Sequence, residues 1–562
     1  MYMAKTRKIC KIKKFAPVLF TFLSVVLLLL VFYRNRFDIY FGTEEENYFS
    51  DKRDTTENNL DGPLVQDNWK NIATYHESPE KEKAKSAFPG HRLVHVDLKG
   101  APPKISYYRE FFPFIKTLGA TGVLMEYEDM FPYSIDISAN NAYTINDIKE
   151  IIKYANQTGL EVIPLIQTFG HLEFVLKLDK FKHLREVFKY PQAICPSDNE
   201  TYSVLVTMID DIVRAHDGIR YLHIGSDEVY QLGECPLCRK KLSNYKWSRS
   251  ALFLDHLSTI ARYVKDHYPG LTSLVWDDQL RTLSVSELDE WKLGELVEPV
   301  VWKYTADVEE LPPEMWSTYS VVFPAVWIAS SFKGARNPDS LTNQINFYYE
   351  NNKSWMKLVA KYSEKITFRG VIITGWQRFD HFSVLCELLP VSIPSLAVNL
   401  LYLSTDLHNI VDIAIEAKGA CKCNFNPVEA VHGVNDDEHC QFPGSRVYET
   451  VSRLPQLIYA LQRLKDMPIF RGWFSPYNLK HSFASPLYIE QAKKDIQELY
   501  GELVALERDI STALESVYDE STVTEWLSTN VEPTKQELLK AIDAADRILM
   551  VQTWPKRPLR NN

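Results

Sequence analysis

Short apolar runs alternate with helical patterns along the middle of the chain. Most runs are nearly continuous in Val, Ile and Leu, as is typical of parallel strands covered on both faces. A helix is predicted over Tyr143–Thr158, opened by Thr144 with Asp147 three residues on and closed by Gly159. The predicted strands cover Leu93–Leu98, Gly122–Tyr127, Glu161–Gln167, Tyr221–Glu228, Thr272–Asp278, Val297–Tyr304, Tyr319–Trp327 and Gly370–Trp376.

Eight strands separated by helices predict an α/β fold, a (β/α)8 TIM barrel over residues 89–404. A doubly wound open sheet is the alternative. In residues 405–562 a Cys-containing loop gives way to a helical C-terminal region. One helix there has an apolar seam, which favours packing on its own domain and leaves a homodimer open. The seam consists of Ile489, Ala492, Ile496, Leu499, Leu503, Leu506 and Ile510.

A further apolar run near the N-terminus predicts a membrane anchor. Residues 15–33 carry no charge over 19 positions, which is enough to cross a bilayer core as a signal anchor. Six Lys and Arg residues precede this run and only Arg34 and Arg36 follow nearby, so residues 1–14 are expected to be a cytoplasmic tail. A cleaved signal peptide is the alternative. We expect a single-pass type II membrane protein with a lumenal catalytic domain, in the Golgi or another secretory or endolysosomal compartment.

Composition separates a stem from the folded part and narrows the partners. Residues 34–88 are rich in Glu, Asp, Asn, Lys and Ser, with few clustered apolar residues, which predicts a stem. The formal net charge of −10 argues against nucleic-acid binding and is easier to reconcile with a neutral or polar substrate. Three Asn-X-Ser/Thr sequons agree with a lumenal glycoprotein, at Asn156, Asn199 and Asn352.

Seven of the eight cysteines follow the predicted anchor. Two groups of them could each form half of a zinc site, but an oxidising lumen favours disulfides. The groups are Cys235 with Cys238, and Cys421 with Cys423 and Cys440. Because seven is odd, one cysteine is expected to stay unpaired, with Cys195 and Cys386 as candidates.

Acidic and aromatic side chains gather where the predicted strands end, which is where a barrel of this kind places its chemistry. Alternation along the fourth strand puts His223, Gly225 and Asp227 on one face, with Glu228 in the loop above. Asp227 is expected to stay ionised, while its charge and a partly apolar roof raise the pKa of Glu228. Carboxylates ringed by indoles indicate a carbohydrate pocket, and one acid beside one anion suits glycosidic cleavage. An exposed loop or helix N-terminus is the alternative for such a pair.

Several motifs then resemble one enzyme family. The pattern His-X-Gly-X-Asp-Glu, from His223 to Glu228, resembles the signature of family 20 glycoside hydrolases, the β-N-acetylhexosaminidases. The stretches HRLVHVDLKGAPPK, TFGHLEF, VWDD, SSFKGA, TGWQRFDH and CELLP are similar to the hexosaminidase D branch of this family. The resemblance extends over about residues 90–400 and agrees with the predicted barrel.

The resemblance implies exo-hydrolysis of terminal β-linked GalNAc or GlcNAc from glycoconjugates by a substrate-assisted, retaining mechanism. Asp227 would orient the 2-acetamido group that attacks C1, and Glu228 would act first as general acid and then as base. His171 and Asp129 match a His/Asp pair near the acid. Arg92 matches an arginine that binds sugar hydroxyls, with an ion pair at the bottom of the barrel as the alternative.

The same resemblance suggests the walls of the pocket. Arg378 stands where the lysosomal relatives have glutamate, so Asp380 or Glu387 is expected to bind sugar hydroxyls instead. Tyr304 is expected to replace the tyrosine that holds the acetamido oxygen. Four tryptophans would clasp the sugar face and the acetamido methyl group: Trp276, Trp302, Trp327 and Trp376.

Two main classes of function remain open, an enzyme and a catalytically inactive, lectin-like membrane protein that binds glycans. The intact acid pair favours the enzyme. A barrel hydrolase with its own nucleophile is a third possibility. No metal or organic cofactor is implied, because acid catalysis and the acetamido group suffice. The expected partners are a glycan with terminal N-acetylhexosamine and the membrane, through residues 15–33.

Overall fold

A closed barrel of eight parallel strands lies at the centre of the computed structural model, which describes residues 87–424 and 439–559. Around the barrel the strands follow the order β1, β2, β3, β6, β7, β8, β9 and β10, while β4 and β5 form a separate antiparallel hairpin. The strands are β1 His91–Asp97, β2 Gly122–Glu126, β3 Glu161–Leu165, β4 Arg185–Val187, β5 Tyr190–Ile194, β6 Tyr221–His223, β7 Thr272–Trp276, β8 Val297–Trp302, β9 Val326–Lys333 and β10 Phe368–Gly375.

Helices follow the barrel strands and continue beyond the barrel. The first eleven are α1 Ile105–Thr117, α2 Ile145–Gln157, α3 Glu173–Leu176, α4 Asn199–Ala215, α5 Pro236–Tyr245, α6 Arg249–His267, α7 Val285–Glu290, α8 Leu293–Leu296, α9 Pro313–Val322, α10 Ile345–Tyr362 and α11 Ile393–Ser404. The C-terminal helices are α12 Ile410–Cys421, α13 Ser445–Val451, α14 Leu454–Asp466, α15 Pro468–Trp473, α16 Pro476–His481, α17 Pro486–Glu515, α18 Glu520–Asn530 and α19 Glu532–Leu549. Short 3-10 turns cover Glu128–Met130, Lys182–Leu184 and Pro390–Ser392.

Local sequence signals set several of these boundaries. The predicted capping box forms at α2, where the Thr144 hydroxyl accepts from the Asp147 backbone N–H and the Asp147 carboxylate accepts from Thr144. The barrel interior is filled by inward-facing side chains in a packed apolar layer, as expected for this fold. That layer includes Leu93, Leu124, Ile163, Leu274, Val300 and Ile372.

The seventh predicted strand is wrong. Residues Tyr319–Trp327 divide between helix α9, which ends at Val322, and strand β9, which begins at Val326. The apolar run reads as one strand in the sequence, but Pro324 interrupts it and the helical part buries Tyr319 while leaving Val321 exposed. Strand β9 therefore starts where the predicted strand ended.

The fourth predicted strand is too long. Strand β6 ends at His223, and the backbone then turns through positive φ angles at Gly225, Ser226 and Glu228. Alternation between the two strand faces therefore stops at His223, and the positions of the acids depend on this turn.

The C-terminal helices pack on each other and on the barrel. Every residue of the predicted apolar seam on α17 is buried, so the seam serves packing within the chain. The Lys104 backbone N–H donates to Val517 O over 2.6 Å, and the Tyr107 hydroxyl donates to Pro443 O over 3.2 Å. The barrel and the helical region therefore share one continuous core.

The cysteines and sequons differ in part from expectation. Cys423 and Cys440 form a disulfide, whereas five cysteines rather than the expected one are free: Cys195, Cys235, Cys238, Cys386 and Cys421. Asn156 and Asn199 are exposed. Asn352 is buried, and its amide donates to Asn399 Oδ1 over 2.9 Å, so this sequon is not a surface site.

The predicted tail, anchor and most of the stem, residues 1–86, lie outside the described residues. The last stem residue, Phe88, is buried and donates its backbone N–H to Leu403 O over 2.9 Å, so the folded part begins slightly earlier than predicted. Within residues 87–424 and 439–559, none of the helices combines the length and apolarity needed to cross a bilayer.

Candidate active site

The turn after β6 presents Asp227 and Glu228 at the carboxyl end of the barrel. Gly225 has a φ of +63°, and a Cβ there would lie 1.9 Å from Gln167 Oε1, so a side chain at this position would collide with its neighbour. The turn leaves Asp227 almost fully buried and Glu228 partly exposed. The two carboxylates therefore differ in solvent access, although they are adjacent in sequence.

His171 lies between the two carboxylates. Its Nε2 is 3.0 Å from Glu228 Oε2 and 3.5 Å from Asp227 Oδ2. The loop after β3 positions this ring, and His171 adopts a positive φ of 52° there. The three side chains form a cluster, called here the acid trio, in which one proton can be shared.

Contacts within the acid trio reverse the predicted order of the pKa values of Asp227 and Glu228. Burial raises the pKa of Asp227 to about 7, with added repulsion from Asp278 and Glu228. Burial acts in the same direction on Glu228, but the hydrogen bond and charge of His171 outweigh it and lower the pKa of Glu228. Burial opposes the imidazolium, yet the two carboxylates raise the pKa of His171 well above its ordinary value. These opposite shifts favour the proton on His171 and the anionic form of Glu228.

Two further polar side chains hold the backbone of Glu228. The Glu228 N–H donates to Asp278 Oδ2 over 3.0 Å, and Gln192 Nε2 donates to Glu228 O over 2.7 Å. Neither residue was predicted from the sequence. Asp278 could have been found, since it ends the predicted fifth strand, but nothing in the sequence indicates that hairpin β4–β5 reaches the acids.

Aromatic side chains form one wall of the site. Tyr304 stacks on Trp302 with ring centroids 5.4 Å apart and meets Trp376 edge-on at 6.4 Å. Trp376 lies 6.0 Å from Trp276. Burial raises the pKa of Tyr304, and the charges of Asp227 and Glu228 add to this effect. Trp276 and Trp302 have buried indole N–H groups without a hydrogen-bond partner among the described residues.

A charged network lies beside this wall at the ends of β1 and β2. Lys99 Nζ is 3.1 Å from Asp97 Oδ2 and 3.2 Å from Glu126 Oε1, and His95 Nε2 is 3.0 Å from Glu126 Oε2. Lys99 also lies 4.8 Å from the centre of the Trp376 ring. None of these residues was predicted as a site residue, although His95, Asp97 and Lys99 lie within HRLVHVDLKG and Glu126 ends the second strand, which were usable signals.

Two predicted binding residues lie at the opposite end of the barrel, which corrects their assignment. Arg92 is the second residue of β1, and its Nε donates to Gly119 O over 2.8 Å. Trp327 is the second residue of β9, packs 5.1 Å from His91 and donates its indole N–H to Glu298 over 2.7 Å. The wrong boundary of the seventh strand explains Trp327, because the residue was assigned to the strand's end and lies at its start.

Three other predicted residues surround the site without joining the acid trio. Asp129 Oδ2 is 3.1 Å from Lys177 Nζ and 3.6 Å from His381 Nε2, so the expected His171/Asp129 pair does not form. Asp380 is exposed and accepts backbone N–H groups within its own turn. Glu387 is buried behind the site, where it accepts from the Gly334 backbone N–H over 3.0 Å.

Two clusters in the described residues have donor atoms suited to a metal ion. Glu128, Asp129 and His381 form the first, next to the site, where Lys99 and Lys177 already balance the carboxylates. The second lies between hairpin β4–β5 and helix α5, away from the acid trio, and consists of Glu186, Cys195, Cys235 and Cys238.

Comparison with known proteins adds independent findings. The family model "Glycosyl hydrolase family 20, catalytic domain" matches residues 111–311. Hexosaminidase D of Homo sapiens is 39% identical over 479 residues, which are 84% of this chain and 97% of the relative. Hexosaminidase D of Bos taurus is 45% identical over 314 residues, 55% of this chain and 90% of the relative. A solved chitobiase of Flavobacterium johnsoniae aligns with a TM-score of 0.48 at 14% identity, covering 82% of this chain and 72% of that structure.

Proposed function

The chain belongs to glycosyl hydrolase family 20, and from this premise we propose that it is an exo-β-N-acetylhexosaminidase that removes terminal β-linked GalNAc or GlcNAc from glycoconjugates. The observation that carries the proposal is the acid trio, in which His171 Nε2 is 3.0 Å from Glu228 and 3.5 Å from Asp227. This cluster places a proton donor and an anion next to each other beside the aromatic wall of the site, as glycosidic cleavage requires.

In the first step the acetamido oxygen of the substrate attacks C1 while the bond from C1 to the leaving oxygen breaks. Glu228 gives its proton to that oxygen. Because the free enzyme keeps this proton on His171, the imidazole returns it along the 3.0 Å hydrogen bond as the sugar displaces water. The products of the step are an oxazolinium sugar, a Glu228 carboxylate and the released alcohol.

Asp227 acts during the same step as the anion that faces the acetamido N–H. Positive charge develops on this nitrogen in the transition state, so a carboxylate beside it is stabilising. Since burial raises the pKa of Asp227 to about 7, the group is charged only towards neutral pH in the free enzyme. The positive charge of the oxazolinium then favours the ionised form.

In the second step water attacks C1 from the face that the leaving group vacated. Glu228 removes a proton from the water, the bond from C1 to the acetamido oxygen breaks, and the configuration at C1 is retained. Trp276, Trp302 and Trp376 would pack against the sugar and its acetamido methyl group, and the Tyr304 hydroxyl would donate to the acetamido oxygen.

Hydrolysis of nitrophenyl β-GalNAc and β-GlcNAc by the full chain tests the proposal. We expect turnover by the wild type and a drop in kcat of about 10²–10⁴-fold for Glu228→Gln. Fluorination of the acetamido methyl group should lower kcat progressively, because it makes the attacking oxygen less nucleophilic. Glycan binding without turnover above the Glu228→Gln level would favour the lectin-like alternative, and equal activity on substrates without the acetamido group would indicate an enzyme nucleophile.

We also propose that the chain is a single-pass type II membrane protein, anchored through residues 15–33, with its catalytic part in the lumen of the Golgi or another secretory or endolysosomal compartment. The uncharged 19-residue run and its basic flank support this topology. The full chain should stay with membranes after alkaline carbonate extraction. Release into the supernatant would contradict the anchor.

A homodimer would have to use a surface other than the seam on α17, because that seam is buried within the chain. Light scattering of the detergent-solubilised full chain measures the mass directly. A mass twice that of one chain, together with loss of activity on dilution, would show that homodimer formation contributes to activity.

A further inference from the structure

Four side chains with metal-binding donor atoms meet outside the acid trio. Their donor atoms all lie within 4.8 Å of one another. Cys195 Sγ is 3.3 Å from Cys235 Sγ and 3.6 Å from Cys238 Sγ, and Cys238 Sγ is 3.1 Å from Glu186 Oε2. We call Glu186, Cys195, Cys235 and Cys238 the Cys3Glu cluster.

The distances suit a metal better than a disulfide. Tetrahedral Zn²⁺, with Zn–S bonds of about 2.3 Å, holds its thiolates about 3.8 Å apart. A disulfide needs its sulfurs at about 2.05 Å. Both measured separations from Cys195 are closer to the first value. Three sulfurs and one carboxylate oxygen complete four-coordination, the number that structural zinc sites use.

Glu186 supplies a second, independent indication of a cation. Its side chain is 2% exposed, and no Lys, Arg or His in residues 87–424 and 439–559 forms an ion pair with it. A buried carboxylate without a cation is costly. The backbone N–H groups of Glu234 and Cys235 donate to Oε1 over 2.6 and 3.0 Å. Those bonds fix the carboxylate and leave Oε2 directed at Cys238, as a preoriented ligand would be.

The surroundings of the sulfurs also hold them in position. Cys235 is the N-cap of α5, and its sulfur accepts the Cys238 backbone N–H over 3.2 Å. The Ser197 hydroxyl lies 3.1 Å from Cys238 Sγ. These contacts fix two of the sulfurs where both can reach one metal ion.

We propose that the Cys3Glu cluster binds one structural Zn²⁺, which ties hairpin β4–β5 to the turn that carries the catalytic acids. Glu186 lies on β4 and Cys195 follows β5, whereas Cys235 and Cys238 open the helix after Asp227 and Glu228. Gln192 on β5 donates to Glu228 O, so the metal stiffens a support of the general acid. From the sequence, disulfides were favoured for Cys235 and Cys238, with half of a zinc site as the alternative, and Cys195 was a candidate for the unpaired cysteine.

Metal analysis of the purified full chain tests the site without relying on activity. Plasma mass spectrometry should find about one zinc per wild-type chain. Cys238→Ser and Glu186→Gln should lose most of it, while Cys421→Ser, at a buried free cysteine outside the cluster, should keep it. A zinc-free wild type, a different metal in place of zinc, or a disulfide between cluster cysteines would overturn the proposal.

Thiol mapping on the wild type covers the case in which the variants do not fold. N-ethylmaleimide should modify Cys195, Cys235 and Cys238 only after a chelator removes zinc, and added Zn²⁺ should restore protection. The chelator should also lower Tm by more than about 5 °C. Thiols that react equally before chelation, or an unchanged Tm, would contradict a bound zinc. Because metal content and thiol protection do not depend on turnover, their outcome is separate from that of the proposed hydrolase activity.

Discussion

The charge state of Glu228 depends on His171, its hydrogen-bond partner at 3.0 Å. The ordinary form of the free enzyme has His171 protonated and both carboxylates charged above about pH 7. Moving the proton from His171 to Glu228 gives the reactive form without a change in the total number of protons. The pH dependence of kcat/KM therefore reports the acid trio as a unit.

We expect wild-type kcat/KM to rise as Asp227 loses its proton near pH 7 and to fall at alkaline pH, when the proton on His171 is lost. In His171→Gln the alkaline limb should move to lower pH, because a carboxyl group alone then holds the proton. The acid limb should move up, since His171 no longer lowers the pKa of Asp227. The profile should become narrower and its maximum about tenfold lower or more.

The exposed His183 offers a matched control, because it pairs only with Glu200 at 2.9 Å on the surface. His183→Gln should leave both limbs in place. If His171→Gln keeps the wild-type alkaline limb, the shared proton does not reside on His171.

At the same scale, burial decides which sequons can carry glycans. Asn352 donates to Asn399 and Tyr348 inside the core, so a glycan there is incompatible with this packing. If the barrel is lumenal as proposed, glycopeptide mass spectrometry of the active protein should find glycans at Asn156 or Asn199 and none at Asn352. A glycan on Asn352 in active protein would contradict the fold around α10.

At the scale of elements, one ion pair joins a C-terminal helix to the barrel mouth. Arg378, in the loop after β10, binds Glu525 of α18 through two hydrogen bonds of 2.6 and 2.7 Å. The same guanidinium donates to Lys99 O over 2.8 Å. Arg378 therefore supports the loop behind Trp376.

Glu525→Gln should loosen this loop. Because Glu525 is partly exposed, the loss should be about 1 kcal/mol, or about fivefold in kcat/KM, mainly through KM. Glu537→Gln is the control, since it removes a surface ion pair with Lys465 on a neighbouring helix. Steady-state kinetics of both variants test this prediction. If Glu537→Gln lowers kcat/KM as much as Glu525→Gln does, the Arg378–Glu525 pair does not support the loop.

At the scale of the whole molecule, the helical C-terminal region completes the core of the barrel. Tyr518 is buried and bridges to Pro103 in the loop after β1, and Asn141 donates to Asp519 over 2.9 Å. Removing these helices would expose apolar side chains of α1 and its neighbours to water.

A chain of residues 87–404, which lacks the predicted anchor, should therefore aggregate or bind a hydrophobic dye. A chain of residues 87–551 loses a tail whose described part, residues 552–559, is mostly exposed, and it should stay soluble and active. Soluble yield and dye fluorescence of the two chains provide the comparison. A soluble, monodisperse barrel ending at residue 404 would show that the two regions fold independently.

The sequence by itself determined the barrel and the acid pair. Buried parallel strands are nearly continuous apolar runs, and this local signal gave seven of the eight strands within a few residues, the fourth of them too long. The end of a barrel strand is a position that can be counted along the chain, so the positions of Asp227, Glu228, Trp276 and Trp376 at the carboxyl end of the barrel were predicted without coordinates. Trp327 was misassigned because Pro324 separates helix α9 from strand β9, so the predicted seventh strand ended where β9 begins.

Only the tertiary structure decided properties that depend on neighbours distant in sequence. The order of the pKa values was reversed because His171, from the loop after β3, lies against Glu228. The Cys3Glu cluster needs a hairpin and a helix to meet, and Arg92 turned out to face backbone carbonyls at the other end of the barrel. Electrostatic shifts and metal coordination fall off over a few ångströms, so they follow from spatial distance, which the spacing of residues along the chain does not fix.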